Sequence, residues 1–326
     1  MNKRRLGKSG MQVSEVGLGC WQLGGDFGPL EEDRAQAILQ TACHADINFF
    51  DTAEVSGAGM SEKRIADFQR KNDSNILIAT KVGRGAGLFP DGYTRKKVRD
   101  SIEASTKRLD TDCLDLVQLH CVPLEVLKTG ELSGWMDEFQ QQGLIRAWGA
   151  SVETIEEAHI AMQHPGLTSL QIIFNLFRQN AITELFPVAK ANDIGIIVRL
   201  PLASGVLSGK MSRQQRFDPG DHRNYNRNGE AFSQGETFSG VPFDLAVDLV
   251  EEMKPWVPEG MSMAQMAMRW ILDHPEVSTV ITGASRAEQA QENAAVSSLG
   301  PLSTGLHQKL AGFYRDRVEA NICVPV

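Results

Sequence analysis

Asp51, Lys81 and His120 stand at the ends of three successive apolar runs, INFFDTA, NILIATKV and LDLVQLH. A carboxylate, an amine and an imidazole in such places lose hydration unless they are paired. An Asp51–Lys81 ion pair answers that cost for two of them, and a purely structural salt bridge would look the same. His120 by itself fits a satisfied core histidine as well as a working one. Three such residues at successive run ends are hard to explain by packing and read as a functional cluster. More polar residues fall at later run ends: Ser151 in IRAWGAS, Gln171 and Asn175 in LQIIFN, and Arg199 in GIIVRLPL.

These residues are far apart in the chain, so the fold must gather them. Eight short apolar runs, from VSEVGLG to STVITGA, alternate with segments of helical spacing such as Val98, Ile102, Ser105 and Leu109. Strand then helix, repeated, implies parallel strands with right-handed crossovers. The expected fold is α/β, a (β/α)8 TIM barrel, with the site at the C-terminal ends of its strands. A doubly wound dinucleotide-binding sheet would want GxGxxG after its first strand, and that motif is absent. Residues 1–14 read as a hairpin turning at Lys8-Ser9-Gly10 and able to plug the barrel bottom. Residues 211–242, after the seventh run, form a long polar loop carrying Phe217, Tyr225, Phe232 and Phe238. Spaced aromatics favour a functional loop over a disordered one. Residues 303–326 end the chain as a helix and tail, and residues 1–326 read as one domain.

Composition narrows the partners. The chain has 326 residues, 42% hydrophobic and 23% charged, the balance of an ordinary globular protein. A net charge of −8 argues against nucleic acid or an anionic membrane as partner. Five cysteines show no CxxC pair or zinc spacing, so no metal is expected, and reduced, mostly packed thiols in a cytoplasmic protein are. The basic start MNKRRLGKSGM leads into no apolar signal region, and the apolar stretch from Ile194 to Leu207 is broken by Arg199 and Pro201.

Six motifs in order now carry a resemblance over essentially the whole chain. Phe50-Asp51-Thr52-Ala53 is followed by Gly57, Gly59 and Ser61-Glu62. Ala79-Thr80-Lys81, Leu109-Asp110-Thr111-Asp112 and Asp115 through His120 come next. Pro201-Leu202-Ala203-Ser204-Gly205 with Gly209-Lys210, and Gly283-Ala284-Ser285 with Gln289, Glu292 and Asn293, complete the set. Together they resemble the aldo-keto reductase superfamily, in its longer-loop bacterial and potassium-channel β-subunit branch. The resemblance implies hydride transfer between NADPH and a small-molecule carbonyl, with Asp51 and Lys81 paired and His120 orienting the carbonyl. The family's proton donor is a tyrosine at the position of Ser56, made more acidic by the lysine. Serine is a far weaker acid and shorter. Ser56 reads as an introduced replacement, as a natural variant in which His120 or a water supplies the proton, or as the mark of a cofactor binder without turnover. Among the tyrosines, only Tyr225 of the long loop is placed to substitute; Tyr93 and Tyr314 lie elsewhere.

By the same resemblance, Ser151, Gln171 and Asn175 hold the nicotinamide carboxamide, although Val152 stands where the family often has Asn. Cys20 and Trp21 end the first strand beside it, and Arg199 takes the place of a ring that stacks under the nicotinamide. Pro201, Leu202, Ser204, Gly205, Leu207, Ser208, Gly209 and Lys210 would wrap the pyrophosphate, and Gly283, Ser285, Arg286, Gln289, Glu292 and Asn293 the adenosine. Ser285-Arg286-Ala287-Glu288 reads as a capping box. Arg286 in a first helical turn opposes the helix dipole unless a 2′-phosphate binds there, which favours NADPH over NADH. Trp21, Phe27, Val122 and Tyr225 would wall the substrate pocket, for an aldehyde, ketone or keto-sugar. The alternative function is a non-catalytic nicotinamide-binding protein that senses redox state.

Overall fold

The eight apolar runs become eight parallel strands because their faces are buried on both sides, inward and against helices. The structure is a computed structural model that describes residues 1–72 and 74–326. A two-stranded antiparallel hairpin, β1 (Lys3–Arg5) and β2 (Gln12–Ser14), precedes the barrel. The barrel strands are β3 (Val16–Gly19), β4 (Phe49–Asp51), β5 (Leu77–Val82) and β6 (Leu114–His120). They continue as β7 (Ile145–Ser151), β8 (Ser169–Ile173), β9 (Gly195–Arg199) and β10 (Val277–Gly283). β10 pairs with β3 and closes the ring.

Helices α1 (Glu32–His44), α2 (Met60–Lys71) and α3 (Arg95–Leu109) follow the first three barrel strands. α4 (Leu124–Thr129) and α5 (Glu131–Gln141) follow β6, α6 (Ile155–Met162) follows β7, and α7 (Ala181–Glu184) and α8 (Phe186–Ala191) follow β8. The connection after β9 carries α9 (His222–Tyr225), α10 (Phe243–Met253) and α11 (Met263–Leu272). α12 (Ala287–Ala294) follows β10, and α13 (Thr304–Phe313) leads into the tail. None of the described helices is long and apolar enough to cross a membrane.

Helix spacing holds in detail. The buried residues of α3 are Val98, Ile102, Ser105 and Leu109, one stripe facing the strands. α6 opens on a capping box. Thr154 accepts from the Glu157 N–H at 3.2 Å, and Glu157 Oε2 accepts from the Thr154 N–H at 3.2 Å. Thr154→Ala should cost about 1 kcal/mol of stability in urea unfolding. No change in midpoint would show that the box is spent against tertiary packing.

Two apolar layers result. The larger lies between strands and helices. The smaller fills the barrel interior with Phe49, Ala79, Leu116, Ala147, Ile197 and Ile281. Leu6 and Val13 of the hairpin close its N-terminal end, so the hairpin plugs the barrel as its sequence suggests. Gly7 makes that fit possible, since its φ is +48° and a Cβ there would lie 2.3 Å from the Gly195 nitrogen.

Candidate active site

Above the interior apolar layer the inward side chains turn polar. Period-two alternation along β6 puts Leu116, Gln118 and His120 on one face. Lys81 Nζ donates to Asp51 Oδ2 at 2.6 Å and to the Thr52 carbonyl at 2.9 Å. Asp51 Oδ1 accepts from Gln118 Nε2 at 3.0 Å and from Gln171 Nε2 at 2.7 Å. The expected ion pair is therefore present, buried and satisfied on both carboxylate oxygens, as a buried pair must be. Gln118 was not among the residues singled out from sequence. Its signal was its place two residues before His120, on the same inward face.

His120 lies beside this pair, and its Nδ1 is buried without a hydrogen-bond partner. Burial pushes the imidazole well below its ordinary 6.5, and Arg84, Lys81 and Arg199 push it further. It is thus neutral at neutral pH and able to donate a hydrogen bond to a carbonyl oxygen.

Ser56 sits on the turn after β4, buried yet lining the same cavity as Lys81 and His120. The turn is firmly held. The Ser56 N–H donates to the Ala53 carbonyl at 3.1 Å. Glu54 Oε1 accepts from the N–H groups of Gly83 and Gly85 at 3.1 and 3.0 Å, clamping it to the loop after β5. At Gly57, φ is +56°, and a Cβ would stand 2.3 Å from the Gly24 carbonyl oxygen.

One cavity of about 910 Å³ joins nearly all the other expected residues. It is lined by Trp21, Ser151, Gln171, Arg199, Pro201, Leu202, Ser204, Gly205, Ser208 and Lys210, and by Gly283, Ser285, Arg286, Gln289, Glu292 and Asn293. Phe27, Val122 and Tyr225 line it too. Four residues lie outside its lining. Cys20 is turned into the core. Leu207 is buried in the same core, and Gly209, with φ +73°, only ends the turn. Asn175 is fully buried and fully used. Its Nδ2 donates to the Leu200 carbonyl and Ser239 Oγ, both at 2.8 Å, and its Oδ1 accepts from the Phe177 N–H at 2.8 Å. β8 ends at Ile173, so Asn175 braces a turn and has no amide left for a ligand.

Arg199 is not free to move as a stacking platform. Its guanidinium donates to the Val152 carbonyl at 3.3 Å and faces Glu236 Oε2 at 3.6 Å. Glu236 also accepts from Arg84 at 3.1 Å, and Arg84 donates to Glu153 Oε1 at 2.8 Å. Burial pushes the Glu236 carboxyl up, but Arg199 and Arg84 outweigh it and hold it below its ordinary value. Burial and the neighbouring Glu236 push Glu153 up. Sequence reading missed this buried network. Arg84 and Glu153 each lie two residues past a strand end, where such a signal could be sought; Glu236 lies in the long loop and offered none.

The aromatics of that loop divide into two sets. Tyr225 and Phe232 face the cavity. Phe217 and Phe238 pack with Phe243 of α10 instead, with ring centroids 5.8 and 4.8 Å from it. Trp21 packs against His222 at a tilt, with ring centroids 4.6 Å apart, and meets Phe27 edge-on at 5.1 Å, joining the loop to the first strand's end. Ser204 Oγ donates to the Glu236 carbonyl at 3.1 Å and accepts from the Phe238 N–H at 3.2 Å.

The expected capping box at 285–288 does not form. The helix begins at Ala287, with Arg286 at the cap and no side-chain capping bond. Gln289 Oε1 instead accepts from the Ser285 N–H at 2.8 Å. Arg286 therefore precedes the first turn and opposes the dipole less than its expected place implied. The cysteines are mostly packed, as the sequence suggests: Cys20 and Cys121 are buried, Cys43 and Cys113 half-buried, and Cys323 exposed.

Known proteins resemble this chain in sequence and fold. The sequence model of the Aldo/keto reductase family matches residues 15–315. A probable voltage-gated potassium channel β subunit of Arabidopsis thaliana is 32% identical, with 93% of each chain covered. An uncharacterized oxidoreductase, YqkF of Bacillus subtilis, is 30% identical over 90% of each. In fold, the glycerol dehydrogenase of Gluconobacter oxydans superposes with a TM-score of 0.79 at 24% identity, over 100% of this chain and 97% of that one. The match over 15–315, which spans every barrel strand, and the two curated relatives establish that this chain belongs to the aldo/keto reductase family.

Proposed function

We propose that this chain is an NADPH-dependent carbonyl reductase whose turnover is limited by Ser56. The observation that carries the reading is the buried Asp51–Lys81 pair beside a neutral His120 in a large cavity. A protein that only bound cofactor would have little use for so costly a cluster.

The residues present fit a nicotinamide dinucleotide phosphate. Ser151 Oγ and Gln171 Oε1 offer a hydroxyl and an amide oxygen to a carboxamide, the Gln171 N–H groups being taken by Asp51 and Gln118. Elsewhere in its lining, α12 begins without a side-chain cap, which leaves the Ala287 and Glu288 N–H groups for a phosphate, and Arg286 stands beside them. Between them Ser204 and Gly205 turn through left-handed backbone, with φ of 56° and 97°, which lets the main chain approach a ligand. When bound, the cofactor supplies a hydride to the carbonyl carbon. The protein's own part is to hold the carbonyl oxygen with the His120 imidazole and to keep a cation, Lys81, near the oxygen as negative charge grows. Phe27, Val122 and Tyr225 shape an apolar wall around the substrate.

Arg286→Ala should weaken NADPH by about tenfold, the scale of one charge-assisted contact, and NADH far less. Fluorescence titration of both cofactors checks this. Equal losses would remove Arg286 as the reader of the 2′-phosphate. The reaction itself is tested by carbonyl-dependent NADPH oxidation in the native chain and its Ser56→Tyr variant.

A further inference from the structure

The cavity has two unlike walls. Trp21 and Phe27 follow β3, and Glu153 follows β7, four strands further round the eight-stranded ring and so across its mouth. On the β3 side Trp21 and Phe27 are half-buried and meet ring to ring. The long loop adds Phe232, its ring centroid 6.1 Å from that of Trp21. The other wall is charged and stands beside His120. One oxygen each of Glu153 and Glu236 lies within 4.8 Å of the other and of the Cys121 thiol, on the residue after His120. Arg84 spans the two carboxylates at 2.8 and 3.1 Å, and Arg199 faces Glu236 at 3.6 Å. Arg84 and Glu153 line the cavity with side chains 18% and 19% exposed, whereas Glu236 and Arg199 are more deeply buried.

This charged wall selects among carbonyl compounds. Two guanidiniums and two carboxylates cancel, so the set offers no net charge to an anionic or a cationic substrate. Its cavity-facing groups still call for hydrogen bonds. A guanidinium carries five N–H donors, and Arg84 gives one to Glu236 and one to Glu153. An alkyl chain laid against Arg84 and Glu153 would strip their water and return nothing. Hydroxyl groups donate and accept, so they can replace that water on the guanidinium and the carboxylate alike. The aromatic wall across the mouth suits the C–H face of the same molecule.

We propose that Arg84 and Glu153 are specificity-determining residues and that the substrate is a neutral polyhydroxylated aldehyde or ketone, with its carbonyl oxygen at His120 and its neighbouring hydroxyls on Arg84 and Glu153. Glu236 and Arg199 hold those two side chains in place from behind. The inference names the substrate class of the proposed reductase and rests on that reading.

Three aldehydes of equal carbon count test it with NADPH, in the native chain and its Ser56→Tyr variant: erythrose, butanal and succinic semialdehyde. The kcat/KM for erythrose, reckoned on its free-aldehyde form, should exceed that of butanal and that of succinic semialdehyde by about tenfold or more, because a site built for hydroxyls is left unpaired by an analogue without them. Glu153→Leu should lower the erythrose value about tenfold more than the butanal value, and Glu153→Gln, which keeps an acceptor at similar size, should restore most of the difference. A purely structural Glu153 would lower both by the same factor. Butanal or succinic semialdehyde reduced as well as erythrose, or equal losses on Glu153→Leu, would overturn the proposal and leave the reductase reading standing. If Glu153→Leu does not fold, the ranking of the three aldehydes decides alone. No reduction of any of them by either protein with NADPH bound would overturn the reductase reading, and the proposal with it.

Discussion

Ser56→Tyr is expected to raise carbonyl-reducing kcat by about 10²-fold, the lower range of a positioned general acid. The reasoning is local. Ser56 lines the cavity on a turn fixed by Glu54 and by its own bond to Ala53, so a ring built there has a set direction and open space. Lys81 lies in that space, held to Asp51 at 2.6 Å. A cation beside a phenol favours phenolate, which makes the proton easier to give. The substitution should leave NADPH affinity within a factor of a few, because the cofactor-binding ends of the cavity are untouched. Steady-state rates with several aldehydes and ketones check it. An unchanged rate with cofactor still bound would mean that the native site does not lack an acid.

Glu236→Leu is expected to cost about 3 kcal/mol of stability, the scale of breaking a buried ion pair. Glu236 ties the long loop to both Arg84 and Arg199. Its side chain is 8% exposed, and those of the arginines 18% and 11%. Leucine would leave Arg199 with only the Val152 carbonyl and the Cys121 thiol, a poor partnership for a buried cation. Glu236→Gln should cost less, since it keeps an acceptor. The pH dependence has a definite sign. A carboxyl whose folded value is lowered stabilises the protein above its unfolded value of 4.5 and loses that contribution as pH falls through its folded value. The native protein should therefore lose more stability on acidification than the leucine variant. Urea unfolding of both at neutral and acid pH measures this. A leucine variant as stable as native would show that water or Glu153 already serves the two arginines.

The barrel was legible because its strands obey one rule. LDLVQLH and IRAWGAS match β6 and β7 residue for residue, since a buried parallel strand is apolar on both faces and its ends are marked by polar residues. LQIIFN overran its strand by two residues, because Phe174 and Asn175 are as buried as the strand they follow. That overrun is what misplaced Asn175. Asp51, Lys81 and His120 were legible as titratable groups that packing could not excuse. Arg84, Glu153 and Glu236 were not, because each sits in a loop where a charged side chain is ordinary. Only tertiary structure shows that the three join Arg199 in one network of two arginines and two glutamates.

The most direct test of the account is the fate of deuterium carried at C4 of NADPH. Product alcohol from the Ser56→Tyr protein, and more slowly from the native chain, should carry the label on its carbinol carbon. No label from either protein across aldehydes, ketones and keto-sugars, with the cofactor demonstrably bound, would contradict the reductase reading and leave a nicotinamide-binding protein in its place.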